Sequence, residues 1–257
     1  RYFDRPAACP WAGWRGTINQ FQIPGPRDRS NSAAMSRRLA PIAAAALPRN
    51  GAVSRRVTIG LMGGSFNPAH DGHRHIARAA LRRLGLSEVW WLVSPQNPLK
   101  SRDDMGAFTT RLASARAVAK HPRIKVRDIE RRLGTVYTSE LIAWLVRRAP
   151  RARFVWLMGA DNLRQFDSWY QWSRILHTVP VAVFDRPPYS LQALHGTAAR
   201  RFARSRVAER RARSLPRMAP PAWVFFHTGR HSATASAIRA SRPAGRDGRA
   251  TNGRAER

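Results

Sequence analysis

The chain has 257 residues, of which 43% are hydrophobic, so it can bury one α/β core with appendages, or at most two small domains. Its single cysteine, Cys9, excludes an internal disulfide and is typical of a reducing compartment. The formal net charge of +31 would favour a nucleic-acid or anionic-membrane partner. Only three of the 46 basic residues are Lys, however, which indicates a codon bias rather than a designed binding surface. We therefore expect no specific nucleic-acid partner.

The two ends of the chain differ from its middle. Residues 1–34 show no periodicity, and we interpret residues 1–54 as a disordered or mis-assigned lead, with the native start at Met35 or a little later. Residues 242–257 are dominated by Gly, Arg and Pro, which predicts a disordered basic tail. No apolar run approaches the ~18 residues of a membrane span, so we expect no membrane partner. We therefore predict that residues 55–241 form the folded domain.

Apolar runs alternate with helical patterns from residue 57 onward. The apolar runs predict buried strands at 57–62, 88–93, 124–129, 154–158, 179–184 and 223–226. The spacing of apolar residues predicts helices from about 72, and over 108–120, 138–148 and 162–166. Strands that are apolar on both faces and separated by helices predict an α/β fold with a Rossmann-like doubly wound parallel sheet and helices on both faces. The Arg-rich residues 196–217 fit either a polar helix or a mobile segment.

A glycine- and histidine-rich segment, GGSFNPAHDGH at residues 63–73, follows the first predicted strand. We expect its paired glycines to adopt backbone angles that a Cβ would forbid, so that the main chain can approach a ligand closely. The next helix directs its N–H groups and positive dipole end back at this turn, which favours an anion. His70 and His73 are three residues apart, so both rings can face one pocket and donate to a phosphate. A glycine-rich turn with two solvated histidines is the alternative without a ligand.

Several other ligand motifs are absent from the sequence. It contains neither G-x-x-x-x-G-K-[ST] nor G-x-G-x-x-G, the two common phosphate-binding patterns. It also lacks H-E-x-x-H and a cysteine pair, so we expect no metal site built from protein ligands.

Residues 63–73 resemble the GGSFDPxHxGH signature of the nucleotidylyltransferase superfamily, and within it they are most similar to bacterial nicotinate-nucleotide adenylyltransferases. Asn67 stands where that family often has Asp, and either residue can brace a turn. The resemblance extends from about Val57 to Arg239. It implies that a cytoplasmic enzyme transfers AMP from ATP to nicotinate mononucleotide in NAD biosynthesis and releases pyrophosphate. It also implies Mg²⁺ bound through ATP.

Further segments resemble family motifs and come in the family order. Residues 128–138 match D-x-E-x-x-R/G-x-x-S-Y-T, with Thr135 in place of Ser, and residues 159–163 match G-x-D-x-L. Residues 234–239 match S-S-T-x-I-R more loosely. Trp169 lies eight residues after Asp161, which is the spacing in the family, and in the family the tryptophan at this position stacks on the pyridine ring. The resemblance also implies that the carboxylate of Asp161 accepts hydrogen bonds from a ribose hydroxyl. Simpler interpretations remain open: Thr138 and Asp161 would be N-caps, Tyr137 and Trp169 would be core aromatic residues, and Lys100 would be a solvated loop residue.

The resemblance implies specific roles for individual residues. The catalytic residues are His70, His73 and Arg239. The ATP-binding residues are Gly63, Gly64, Ser65, Phe66, His70, His73, Gly159, Asp161, Ser236 and Arg239. The nicotinate-nucleotide-binding residues are Ser65, Asn67, Lys100, Tyr137, Thr138, Trp169 and Arg186.

The implied chemistry is a direct in-line transfer that needs no covalent intermediate, so catalysis consists of positioning and charge stabilisation. One alternative is another adenylyltransferase of the same superfamily, of the pantetheine-phosphate type. A basic nucleic-acid-binding protein is a less favoured alternative, because the sequence contains no aromatic–basic platform or reader motif. A homo-oligomer is compatible with the sequence.

Overall fold

The computed structural model describes residues 57–96, 105–185 and 190–227. The predicted lead and tail lie outside these ranges. Four candidate site residues also lie outside them: Lys100, Arg186, Ser236 and Arg239.

Strands and helices alternate through the described residues. The strands are β1 (Thr58–Gly64), β2 (Glu88–Val93), β3 (Ile124–Arg127), β4 (Arg153–Gly159), β5 (Val181–Phe184), β6 (Arg206–Val207) and β7 (Trp223–Phe226). The α-helices are α1 (Asp71–Arg83), α2 (Phe108–Ala119), α3 (Ile129–Leu133), α4 (Thr138–Arg148), α5 (Ala160–Arg164), α6 (Trp172–Thr178), α7 (Ser190–His195) and α8 (Thr197–Arg201). Short 3₁₀ segments occur at Phe166–Ser168, Ala203–Ser205 and Glu209–Arg217. In this part of the chain, no helix is both long enough and apolar enough to cross a membrane.

The described strands form one parallel sheet in the order β3-β2-β1-β4-β5-β7-β6. The chain moves outward from β1 to β3 and then returns to place β4 on the other side of β1. This reversal of strand order lies between β1 and β4, which are in register with Met62 opposite Leu157. The predicted doubly wound parallel sheet is confirmed.

Side chains that alternate along the strands build a separate hydrophobic layer on each face of the sheet. On β4, Phe154, Trp156 and Met158 join one layer, whereas Val155 and Leu157 join the other. The first layer is covered by helices α3 to α8. The second is covered by α1, α2 and the 209–217 segment. Helices therefore cover both faces of the sheet, as the apolar strands predict.

The Arg-rich residues 196–217 are ordered within the structure, so the interpretation of a mobile segment is wrong. They form α8, the short edge strand β6 and a 3₁₀ segment whose Ala212 and Leu215 are buried. Glu209 pairs with Arg83 of α1 and accepts a hydrogen bond from the backbone N–H of His227, 3.3 Å away. The few apolar residues in this run are too widely spaced to give a strand or helix pattern in sequence.

Three predicted strand boundaries are wrong by two residues, and β1, predicted to end at residue 62, continues to Gly64. β3 ends at Arg127, because Asp128 begins the turn into α3. β5 begins at Val181, because the N–H of Val179 still bonds to Ile175 of the preceding helix and Pro180 has no N–H to donate.

Candidate active site

The candidate site lies at the carboxyl ends of the strands, on both sides of the reversal in strand order. β1 ends at Gly64 and leads into the histidine segment, and β4 ends at Gly159 and leads into α5. The backbone N–H of Ser94, directly after β2, donates to the carbonyl of Gly64 at 3.0 Å. In open parallel sheets a ligand binds in the crevice at this position.

His70 and His73 lie together at the amino end of α1, with ring centroids 3.8 Å apart. His70 is the N-cap residue, and its Nδ1 accepts the N–H of Gly72 at 3.1 Å. His73 completes a capping box, because its Nδ1 accepts the N–H of His70 at 3.2 Å. His70 is only 6% exposed and His73 is half-buried, so these are not two solvated histidines.

These two bonds determine where each neutral ring carries its proton. Because Nδ1 accepts a backbone N–H in both rings, the proton of the neutral imidazole sits on Nε2. The expectation that α1 offers its own N–H groups to a ligand needs correction, since the N–H groups of Gly72 and His70 are occupied by the rings. The contact of these two residues with an anion stays a prediction.

Neither of the paired glycines has an unusual backbone angle, contrary to the sequence-based expectation, and Gly63 instead provides room for a neighbouring side chain. Among the described glycines, positive φ occurs at Gly85 and Gly134 and not at the Gly63–Gly64 pair. A Cβ on Gly63 would instead lie 2.6 Å from Cη2 of Trp156, a buried core residue. The chain reaches the histidines through Phe66, whose φ is +46°.

The Phe66 ring is buried and packs against the ring of His73. It is 1% exposed, stacks on Trp91 with centroids 5.1 Å apart and lies 4.8 Å from the His73 ring. Only the backbone of Phe66 is therefore available for the predicted ATP contact. The neighbouring candidates Ser65 and Asn67 are half-buried on the same turn.

Asp161 lies in the first turn of α5, where Gly159 is the N-cap residue. The alternative in which Asp161 is the N-cap is therefore wrong. A carboxylate in the first helical turn interacts favourably with the helix dipole and is an acceptor only. This leaves the predicted ribose contact as a prediction.

The predicted nicotinate side is brought together by aromatic contacts. The ring of Tyr137 packs 4.5 Å from that of Tyr170, the neighbour of Trp169. Trp169 is half-buried and packs edge-on against Phe166 at 5.2 Å. The structure thus joins two segments that are more than thirty residues apart in sequence.

Thr138 is the first residue of α4, and Tyr137 occupies the N-cap position without a side-chain cap bond. The alternative in which Thr138 is the N-cap is wrong for this reason. Thr135 instead holds this turn, because its hydroxyl accepts the N–H of Tyr137 at 3.2 Å and donates to Glu140. The hydroxyl of Thr138 is not used as a cap.

Two buried charged residues near the strand ends were given no role by the sequence analysis, although Glu130 is the glutamate of the D-x-E motif. Arg111 is 3% exposed, and Glu130 is 4% exposed with a side-chain hydrogen bond to Ser94. Burial raises the pKa of Glu130 to about 7 and lowers the pKa of Arg111. For Arg111 a signal existed: it lies four residues before Ala115 and eight before Ala119, on the buried stripe of α2.

Comparisons with known proteins show the family of this chain. The profile of the cytidylyltransferase-like family matches residues 61–240. A "Probable nicotinate-nucleotide adenylyltransferase" of Bradyrhizobium sp. (strain ORS 278) is 51% identical over 181 residues, 70% of this chain and 94% of the relative. The protein of the same name from Parvibaculum lavamentivorans is also 51% identical, over 70% of this chain and 90% of the relative.

A solved structure shares the fold at much lower identity. The Plasmodium falciparum nicotinic acid mononucleotide adenylyltransferase complexed with NaAD has a TM-score of 0.53 and 14% identity, over 72% of this chain and 83% of that chain. This likeness supports the fold, and the sequence relatives establish the family. The chain therefore belongs to the cytidylyltransferase-like family and, within it, to the nicotinate-nucleotide adenylyltransferases.

Proposed function

We propose that this chain transfers AMP from ATP to nicotinate mononucleotide, a step of NAD biosynthesis that yields nicotinate adenine dinucleotide and pyrophosphate. The observation that carries the proposal is the His70–His73 pair, which caps α1 at the reversal of strand order. Relatives named for this activity share about half of their residues with the chain over nearly their whole length.

On the ATP side, the Nε2–H groups of His70 and His73 donate to the phosphates. Each ring is held by a backbone N–H on Nδ1, so its orientation is fixed before charge develops during transfer. The positive end of the α1 dipole acts in the same direction. The resemblance adds Ser236 and Arg239 as groups that hold the leaving pyrophosphate.

On the acceptor side, Trp169 provides an aromatic face for the pyridine ring, next to the Tyr137–Tyr170 contact. The backbone and hydroxyl at Thr138, at the start of α4, suit a carboxylate or phosphate. Asn67, Lys100 and Arg186 complete this side on the basis of the resemblance.

The reaction is a single displacement at the α-phosphorus of ATP. An oxygen of the acceptor's phosphate forms the new bond, the bond from the α-phosphorus to the bridging oxygen breaks, and pyrophosphate leaves with the electron pair. No Ser or Cys nucleophile is required. The residues align the attacking oxygen and stabilise the charge that moves to the leaving group.

Mg²⁺ fits this site as a partner of ATP rather than as a resident of the protein. The donors at α1 are imidazole N–H groups, which bind anions, whereas Mg²⁺ takes oxygen ligands and keeps several waters. When bound to the ATP phosphates, the ion would neutralise part of their charge.

We also propose that the enzyme is cytoplasmic, because it uses ATP and its single cysteine fits a reducing compartment. Subcellular fractionation tests this location. A homo-oligomer remains a prediction, which light scattering coupled to size exclusion tests directly.

The experiment that tests the proposed function is a pyrophosphate-release assay with ATP, Mg²⁺ and one acceptor at a time. Nicotinate mononucleotide, nicotinamide mononucleotide and phosphopantetheine are compared with a reaction that lacks an acceptor. We expect rapid release with nicotinate mononucleotide and formation of the dinucleotide in equal amount. Release with phosphopantetheine alone would assign the chain to the other adenylyltransferase type. Release with no acceptor at all would contradict the proposal.

A further inference from the structure

Arg111 projects from the first turn of α2 to the ends of two neighbouring strands. Its Nη1 donates to the carbonyl of Ser65 at 2.7 Å, directly after β1, and to the carbonyl of Ser94 at 2.8 Å, directly after β2. Nη2 donates to the carbonyl of Pro95 at 3.0 Å, and Nε donates to that of Gly106 at 2.8 Å. One buried side chain thus joins three separate segments through four hydrogen bonds.

The guanidinium of Arg111 is a buried positive charge, and no carboxylate within the described ranges neutralises it. Arg111 takes part in none of the ion pairs found among residues 57–96, 105–185 and 190–227. Burial of a cation is costly, and a cation near the amino end of a helix is also disfavoured by the helix dipole. The four carbonyl oxygens offset these costs, since hydrogen bonds to a charged donor are stronger than neutral ones.

The same bonds set the orientation of a peptide group in the histidine segment. The C=O and N–H of one trans peptide point in opposite directions. Because Arg111 holds the carbonyl of Ser65, the N–H of Phe66 points away from the guanidinium. The side chain of Asn67, the residue after Phe66, lies close to Gly106. A Cβ added to Gly106 would be 3.2 Å from Oδ1 of Asn67.

We propose that Arg111 is a positioning residue for adenylyl transfer, which fixes the turn after β1 against the turn after β2 so that phosphate and acceptor groups are aligned. This role rests on the proposed function. A lysine at this position keeps the charge but cannot make the four bonds of the planar guanidinium fork. Misalignment of reacting groups by about 1 Å can reduce the rate by roughly a hundredfold.

The test compares Arg111→Lys and Arg111→Ala with Arg116→Ala, a matched control at an exposed position of the same helix. We expect Arg111→Lys to remain folded by circular dichroism and to lose kcat by about tenfold to a hundredfold, with KM for both substrates changed much less. Millimolar guanidinium should restore part of the activity of Arg111→Ala, whereas methylammonium should not. Arg116→Ala should keep the wild-type kcat.

If the wild-type enzyme is active, an unchanged kcat in Arg111→Lys would overturn this role. So would a loss of activity in Arg111→Ala that guanidinium fails to restore. A third contradicting result is failure of both variants to fold at low temperature. The last result would assign Arg111 to the stability of the fold alone. An inactive wild-type protein would overturn the proposed function itself, so the two failures are distinguishable.

Discussion

His70 and His73 each accept a backbone N–H on Nδ1, from Gly72 at 3.1 Å and from His70 itself at 3.2 Å. The two residues that we assign to the phosphates are therefore also the residues that begin α1. Each neutral ring is left with its proton on Nε2. Substitution of either ring should affect both the start of the helix and the chemistry, and the two effects can be measured separately.

For His73→Ala we expect kcat to fall by about tenfold or more, because one preorganised donor to the developing charge is lost. The free energy of unfolding should fall by only about 0.5–2 kcal/mol, the usual cost of a lost cap. Steady-state kinetics and urea unfolding measure the two quantities on the same preparation. His75→Ala is the matched control, since His75 is exposed on the same helix, and it should keep the wild-type kcat. Near-normal turnover in His73→Ala would count heavily against the assignment.

Gly63→Ala should be much more destabilising than Gly64→Ala. The added methyl at Gly63 would lie 2.6 Å from Cη2 of Trp156, which is packed in the core, and such overpacking costs about 1–3 kcal/mol. At Gly64 the nearest atom is Cε2 of Phe66 at 3.4 Å, which is an ordinary contact. Urea unfolding of the two variants checks the order. Equal losses of stability in the two variants would contradict the steric role of Trp156.

The stability of the protein should depend on pH through Glu130. Burial raises the pKa of this carboxyl from 4.5 to about 7, so the native state keeps a proton that the unfolded state releases in this range. The free energy of unfolding therefore falls as the pH rises through this window, by roughly 3 kcal/mol at 1.4 kcal/mol per unit, and levels off above it.

Glu130→Gln replaces the carboxyl with an amide that does not titrate. Its advantage over the wild type in the free energy of unfolding should grow between pH 4.5 and about 7 and then stay constant. Urea unfolding at a series of pH values measures this difference, and the titration of other groups largely cancels between the two proteins. Parallel stability curves for the two proteins would rule out a titrating Glu130.

The sheet could be predicted because its strands are short, apolar on both faces and bounded by polar residues. Glu88–Val93 and Trp223–Phe226 were predicted to the residue, and so was the helix Thr138–Arg148. β6 was missed, because a two-residue edge strand in an Arg-rich run has no periodic pattern. Its pairing with β7 is a tertiary effect that local sequence does not encode.

The site was only partly predictable for a different physical reason. The motif indicated which residues meet, including His70 and His73. The motif did not reveal that these rings use their Nδ1 atoms on the backbone, nor that Trp156 from β4 fills the space beside Gly63. Arg111 was missed because its partners are main-chain carbonyls of distant turns, which leave no mark in the residue types.

The most direct test of the central claim is a nitrogen NMR spectrum of protein labelled in its histidine rings, recorded near neutral pH with and without ATP and Mg²⁺. Variants of His70 and His73 assign the two signals. We expect both rings as the Nε2–H tautomer in the free protein, with the Nε2 and Hε2 signals shifting on addition of ATP while Nδ1 remains an acceptor. Rings that carry their proton on Nδ1, or Nε2 signals that ATP leaves unchanged, would contradict the proposal that this histidine pair holds the phosphates.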